Sequence, residues 1–154
     1  MQLAHYLGLL HKSEVNLADA FREVGKSHAA EVDVFHICQK LGAECDRHAE
    51  QLEPFATRYG EDAPAEPDRL HTELFRGTRD GPLGLLRDLH DLYLMATECD
   101  VAWTLVGQAA QGARDRELLD VVSGCESETS VQLQWLKTRM KQAAPQALVV
   151  SAAP

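Results

Sequence analysis

Apolar residues recur at steps of three and four along most of this chain, the spacing that turns one face of an α-helix toward a core. The first run reads Leu3, Leu7, Leu10, Glu14, Leu17, Phe21, Val24. A second reads Val34, Ile37, Leu41, Glu44, His48, Leu52, Phe55, and a last one reads Leu119, Val122, Glu126, Thr129, Leu133, Leu136, Met140. Between them lies a stretch that is apolar over two faces. Leu85, Leu89, Leu92, Ala96, Cys99, Trp103 and Val106 form one face, while Leu94, Val101 and Leu105 flank Glu98 on the other. A helix packed against two neighbours has this pattern.

These runs predict helices over residues 3–26, 30–55, 83–111 and 113–142. Pro54 is expected to kink or stop the second, and Pro145 to end the fourth. Residues 59–82 hold Gly60, Pro64, Pro67, Gly77, Gly81 and Pro82 and read as a connection. Within it, 68–75 are expected to form a short helix, with Pro67 near its start and Gly77 just past its end. Two short turns and one long connection predict an all-α four-helix bundle over 1–144, two antiparallel hairpins joined by a long crossover between the second and third helices. Residues 145–154 read as a flexible C-terminal tail.

Four glutamates, Glu14, Glu44, Glu98 and Glu126, fall where the seams call for leucine. Residues of an antiparallel hairpin share a depth when their midpoint falls in the turn. Glu14 and Glu44 have their midpoint at Ala29, and Glu98 and Glu126 at Gly112, each in a predicted turn. Each glutamate then lies ~21–22 Å from its turn at the α-helical rise, near mid-bundle. His48 stands one turn beyond Glu44 on the same face. The halves echo each other faintly: Ser13-Glu14 with Ala18 recurs as Thr97-Glu98 with Ala102, and Gly42 with Glu44 as Gly124 with Glu126. Four carboxylates converging inside a core would repel one another unless a metal or shared protons neutralised them.

Composition narrows the classes. The net charge of -9 argues against non-specific binding to nucleic acid or to an anionic membrane. No run approaches ~18 uninterrupted apolar residues, so no membrane span is expected. The chain enters amphipathic sequence almost at once, so no secretory signal is expected either. Cys38, Cys45, Cys99 and Cys125 have no CxxC or zinc-finger spacing and read as small apolar filler in a reducing cytosol, which makes the expected location cytoplasmic.

The order Glu, Glu with His, long crossover, Glu, Glu resembles the ferritin-like superfamily, the carboxylate bundles that include ferritins and rubrerythrins. The resemblance covers roughly residues 3–142. It implies that Glu14 and Glu98 are single-carboxylate ligands, that Glu44 and Glu126 bridge, and that His48 supplies an imidazole. Two iron or manganese ions suit such ligands, and the chemistry implied is metal handling or the oxidase and peroxidase type. The chain departs from the family pattern at Arg47 and Thr129, where a histidine three residues after each bridging glutamate would stand; its histidine comes at His48. The alternative reading is a metal-free scaffold, a binding or assembly protein whose carboxylates are protonated or hydrogen-bonded to Arg47, Thr129, Ser130 and water. The apolar excess on the third helix points to a homodimer or small homo-oligomer.

Other residues carry less weight. His11 could extend the ligand set but reads more simply as a surface or hydrogen-bonded residue. His5, His28, His36 and His90 read as surface or cap residues, and Trp103 and Trp135 as core or interface anchors. Glu50, Glu53, Glu61 and Asp62 read as a solvated acidic face.

Overall fold

Short turns at residues 28–31 and 113–115 reverse the chain between long helices, and these reversals set the pairing. The computed structural model describes residues 1–60, 65–66 and 68–150. In it α1 (Leu3–Ser27) pairs with α2 (Val32–Gly60), and α3 (Gly81–Gly112) with α4 (Arg116–Pro145). Cross-links fix the directions. Arg22 of α1 meets Asp46 of α2 at 2.8 Å, and the indole of Trp103 on α3 meets Glu14 on α1 at 2.8 Å. Arg58, near the end of α2, meets Asp115 at the start of α4 at 2.7 Å. Every neighbouring pair is therefore antiparallel, as a four-helix bundle with one crossover requires.

The seams pack the core as read, with one exception. On α1, Leu7, Leu10, Leu17, Phe21 and Val24 are fully buried. On α3, Leu89, Leu92, Ala96, Cys99, Trp103 and Val106 are too. The exception is α4, whose buried face is Leu118, Val122, Cys125, Thr129, Gln132 and Leu136. Its middle is turned by one residue, so Cys125 replaces Glu126 and Gln132 replaces Leu133. The turn buries a small thiol and a neutral amide and leaves the charged carboxylate half-exposed, which avoids stranding a charge in the core.

Close approach matters most between α1 and α2. A Cβ on Gly42 would stand 3.2 Å from the Ala18 carbonyl oxygen, so this contact admits only glycine without adjustment. By contrast α2 and α4 touch sparingly, held apart by larger polar side chains at their interface.

Pro54 does not stop α2, which continues to Gly60. Pro54 faces solvent, while Leu52 and Phe55 are buried on the opposite side. The last turn is held from outside the helix. Asp115 accepts from Arg58 at 2.7 Å and from the Tyr59 hydroxyl at 2.6 Å, and also caps α4 by accepting from the Leu118 amide at 3.1 Å. Pro145 likewise does not release a loose tail at once. Gln146–Val150 form a π-helical turn and Ala147 buries against the bundle, while residues 151–154 of the expected tail lie outside the described residues.

The expected short helix at 68–75 is absent. Arg69 takes a left-handed φ of 63°, which an L-residue helix does not tolerate, and the segment then runs without helix to Asp80. Leu70 and Phe75 pack individually against the core instead. Glu61, Asp62, Pro64 and Pro67 lie outside the described residues, so the acidic face expected at Glu50, Glu53, Glu61 and Asp62 is described only for its first two members, both exposed.

The connection rejoins the bundle through charge. Asp88 is fully buried and accepts from the Arg79 amide at 2.9 Å, the Arg79 guanidinium at 2.8 Å and His28 Nε2 at 2.8 Å. The same guanidinium reaches Asp91 at 2.8 Å. Gly84 lets the chain pass, since a Cβ there would lie 2.7 Å from the Arg79 carbonyl carbon. His28 does cap α1, but its ring is buried rather than on the surface. Arg79→Ala removes a donor shared by two buried carboxylates, and should lower stability by about 1–3 kcal/mol. Urea unfolding midpoints check this, and Arg79→Lys should recover much of the loss, because a single nitrogen, Nη1, meets both carboxylates and an ammonium has donors enough for two.

Candidate functional site

Glu14 sits at mid-height on the inward face of α1 and is 1% exposed. Its Oε1 accepts from the Trp103 indole at 2.8 Å and lies 3.3 Å from Nδ1 of His48. His48 is wholly buried, and its second nitrogen, Nε2, lies 3.3 Å from Oε1 of Glu128 on α4. Glu128 is half-exposed and its other oxygen lies 3.8 Å from Arg47. The imidazole and the Trp103 indole also stand perpendicular to each other, with ring centres 6.0 Å apart at 87°. One imidazole therefore joins a core carboxylate to a carboxylate at the bundle surface.

Both ring nitrogens face carboxylate oxygens, and only the doubly protonated ring can donate to both. Burial opposes that charge. Hydrogen bonds and charge from Glu14, and then from Glu128, outweigh it and raise the His48 pKa above the ordinary histidine value. The second oxygen of Glu14, Oε2, is buried with no hydrogen-bond partner. Chemically the arrangement can hold a proton at His48 and exchange it through Glu128, with Glu14 as the buried counter-charge.

The remaining predicted ligands point elsewhere. Glu44 accepts from Gln132 Nε2 at 3.1 Å. Glu98 is half-buried on the flank of α3, in hydrogen-bond contact with Ser13 and near His71 of the connection. Glu126 is half-exposed and accepts from the Thr104 hydroxyl at 3.0 Å. A two-ion carboxylate centre needs all four glutamates and the imidazole to face one volume. Here Glu14, His48 and Glu44 face the interior, Glu98 faces the connection and Glu126 faces the outer side of α3. Among the described residues, no group of three histidine, cysteine, aspartate or glutamate side chains is arranged to hold a metal ion. The expected inward assignments of Glu98 and Glu126 are thus corrected, because each finds a hydroxyl partner near solvent without the penalty of full burial.

Two members of the network were not foreseen. Glu128 and Gln132 lie one residue off the apolar seam of α4. The signal available was Leu118 beside Leu119 and Cys125 beside Glu126, which allows a seam rotated by one residue. His11 stays peripheral, half-exposed and 3.7 Å from Glu53. His36 and His90 are exposed, His5 is half-buried, Trp103 is core and Trp135 is half-buried. All four cysteines are buried and unpaired. Burial is the main reason their thiols stay protonated: it pushes Cys38 and Cys125 up to about 12, and Cys45 and Cys99 well upward. Glu14 adds to the rise at Cys45, Cys99 and Cys125.

Because folding raises the His48 pKa, the native state holds its proton more tightly than the unfolded chain does. Its contribution is complete below ~6.5, the unfolded value, and is lost as pH climbs through the higher folded value. Unfolding free energies taken from about pH 5.5 to about pH 8.5 should therefore decline with a slope that His48→Gln removes. A titration of the imidazole by NMR should place its midpoint above ~6.5.

No protein-family model, curated protein or solved structure matches this chain, and the resemblance to the ferritin-like superfamily rests on the spacing of Glu14, Glu44, His48, Glu98 and Glu126 alone.

Proposed function

We propose that this protein is a helical-bundle scaffold that works by self-association, with its buried charges satisfied by one another rather than by a metal. The observation that carries the reading is a stripe on α3. Leu83, Leu94, Val101 and Leu105 are 44–59% exposed, and at 100° per residue they fall within a 40° sector. The stripe is continuous from Leu94 to Leu105, ~16 Å at the α-helical rise, because the exposed Arg87 falls in the same sector between Leu83 and Leu94. A narrow apolar line of this length on one helix suits a second helix from another copy. The core network supports the same reading, because His48 has no nitrogen left over for a ligand once Glu14 and Glu128 are in place. We place the protein in the cytosol on its four unpaired, protonated thiols. Among the described residues no helix is long and apolar enough to cross a membrane.

A second reading, iron or manganese handling, is favoured by one atom. Glu14 Oε2 is buried without a hydrogen-bond partner, beside the histidine. Carboxylate and imidazole suit either metal, and Glu14 and His48 would hold it with Glu44 only after Glu44 had left Gln132 to join them. Glu98 and Glu126 would take part only after leaving Ser13 and Thr104.

Val101→Glu with Leu105→Glu should convert an oligomer to monomer in sedimentation velocity with the helical content unchanged. A wild-type chain that is already monomeric at high micromolar concentration would end the self-association reading. Elemental analysis of protein grown with added iron and manganese decides the second reading. Metal near two per chain, lost in Glu14→Gln, would establish it. Metal-free protein with an unchanged melting temperature supports the scaffold.

A further inference from the structure

The connection between α2 and α3 builds a wall. Its residues 71–75 stand beside the outward stripe of α1 that runs from Lys12 to Glu23, and beside Met95 and Glu98 of α3. Between them lies a cleft of about 470 Å³, within the size range of small-molecule sites. It is separate from the buried network, and Glu98, one of the two predicted ligands that the network left out, lies within its lining.

The lining is of two kinds. Ala20, Phe75 and Met95 supply apolar surface, and the buried Ala20 and Met95 form a floor. The polar groups do not balance. Asp19 is already paired with Arg22 at 2.6 Å, and His71 with Glu66 at 3.1 Å. Glu23, Glu73 and Glu98 have no ion-pair partner among the described residues, and Lys12 is the single ammonium in the lining. Burial pushes the Glu98 carboxyl up, opposed by the charge of His71 and the Ser13 hydroxyl. Ser13, which bonds Glu98, and Glu23 are ~15 Å apart along α1 at the α-helical rise. A hydrated metal ion would make no use of the apolar surface between them. A flexible cation with methylenes between its charges would use both kinds of lining.

We propose that this cleft is a binding site for a linear aliphatic polyamine, whose ammonium groups meet Glu98, Glu23 and Glu73 and whose methylenes lie along Ala20, Phe75 and Met95. The Lys12 ammonium opposes the ligand and limits its affinity. The proposal does not rest on self-association, although Glu98 lies one turn from both Leu94 and Val101, so a second copy seated on the α3 stripe would border the cleft.

The test is a titration of the whole chain with spermidine at about 150 mM salt, followed by amide NMR, with magnesium and succinate as controls. The expected result is saturable shifts confined to residues 12–23, 71–75 and 95–98, with no comparable response to either control. Glu98→Gln with Glu23→Gln should weaken binding by about tenfold or more, the scale of a lost charge-assisted hydrogen bond. Both residues are at least partly exposed, and the same spectra report whether the variant is folded. Lys12→Ala should tighten binding. Shifts that never saturate, that spread over the acidic surface, that magnesium reproduces, or that ignore these substitutions would overturn the proposal.

Discussion

A carboxylate placed among leucines must bring its counter-charge with it, and in this bundle that requirement fixes how four helices meet. Glu14 is held by Trp103 from α3 and His48 from α2, and His48 is held in turn by Glu128 from α4. Taking charges out of water carries a penalty that only close partners and further hydrogen bonds offset. Removing His48 would leave Glu14 buried without a counter-charge, a loss that in such settings reaches about 3–5 kcal/mol. The geometry follows from that constraint. The imidazole and its partners separate α2 from α4, and Gln132 fills the remaining gap by donating to Glu44.

The same logic recurs at both ends of the bundle. At one end Asp88 gathers His28 from the first turn and Arg79 from the connection. At the other, Asp115 gathers Arg58 and Tyr59 from the last turn of α2 while capping α4. Leucine packing alone tolerates a slide of one helix past another, because one apolar contact replaces a similar one. A buried carboxylate does not tolerate it, since a shift of one turn would leave it without a donor. Three such nodes, spread along the axis, select one register from the several that apolar packing would accept.

Surface chemistry is divided between two regions of different character. The outward face of α3 carries apolar side chains in line, which suits another helix. The cleft under the connection carries unbalanced carboxylates around an apolar floor, which suits a flexible cation. Neither region borrows a residue from the buried network, so binding at the surface and charge balance in the core can vary separately.

How much of this was legible before folding differs by length scale. The four helices, their antiparallel pairing, the long crossover and the inward faces of α1 and α3 follow from apolar spacing and turn placement, which are local. The burial of Glu14, Glu44 and His48 follows from the same spacing, because each interrupts an otherwise unbroken seam. The rotation of α4 does not. Its sequence offers Leu118 or Leu119 and Cys125 or Glu126, and either choice gives an apolar face. Only the groups opposite decide it: His48 meets Glu128 at the bundle surface, and Glu44 meets Gln132 inside. Likewise Arg79 finds Asp88 and Asp91, and Asp115 finds Arg58 and Tyr59, across distances in sequence that no periodicity spans. Sequence by itself determined which segments are helical and which residues would need partners in a core. Tertiary structure decided which partners they took, because charge pairing depends on distances between helices that no single helix contains.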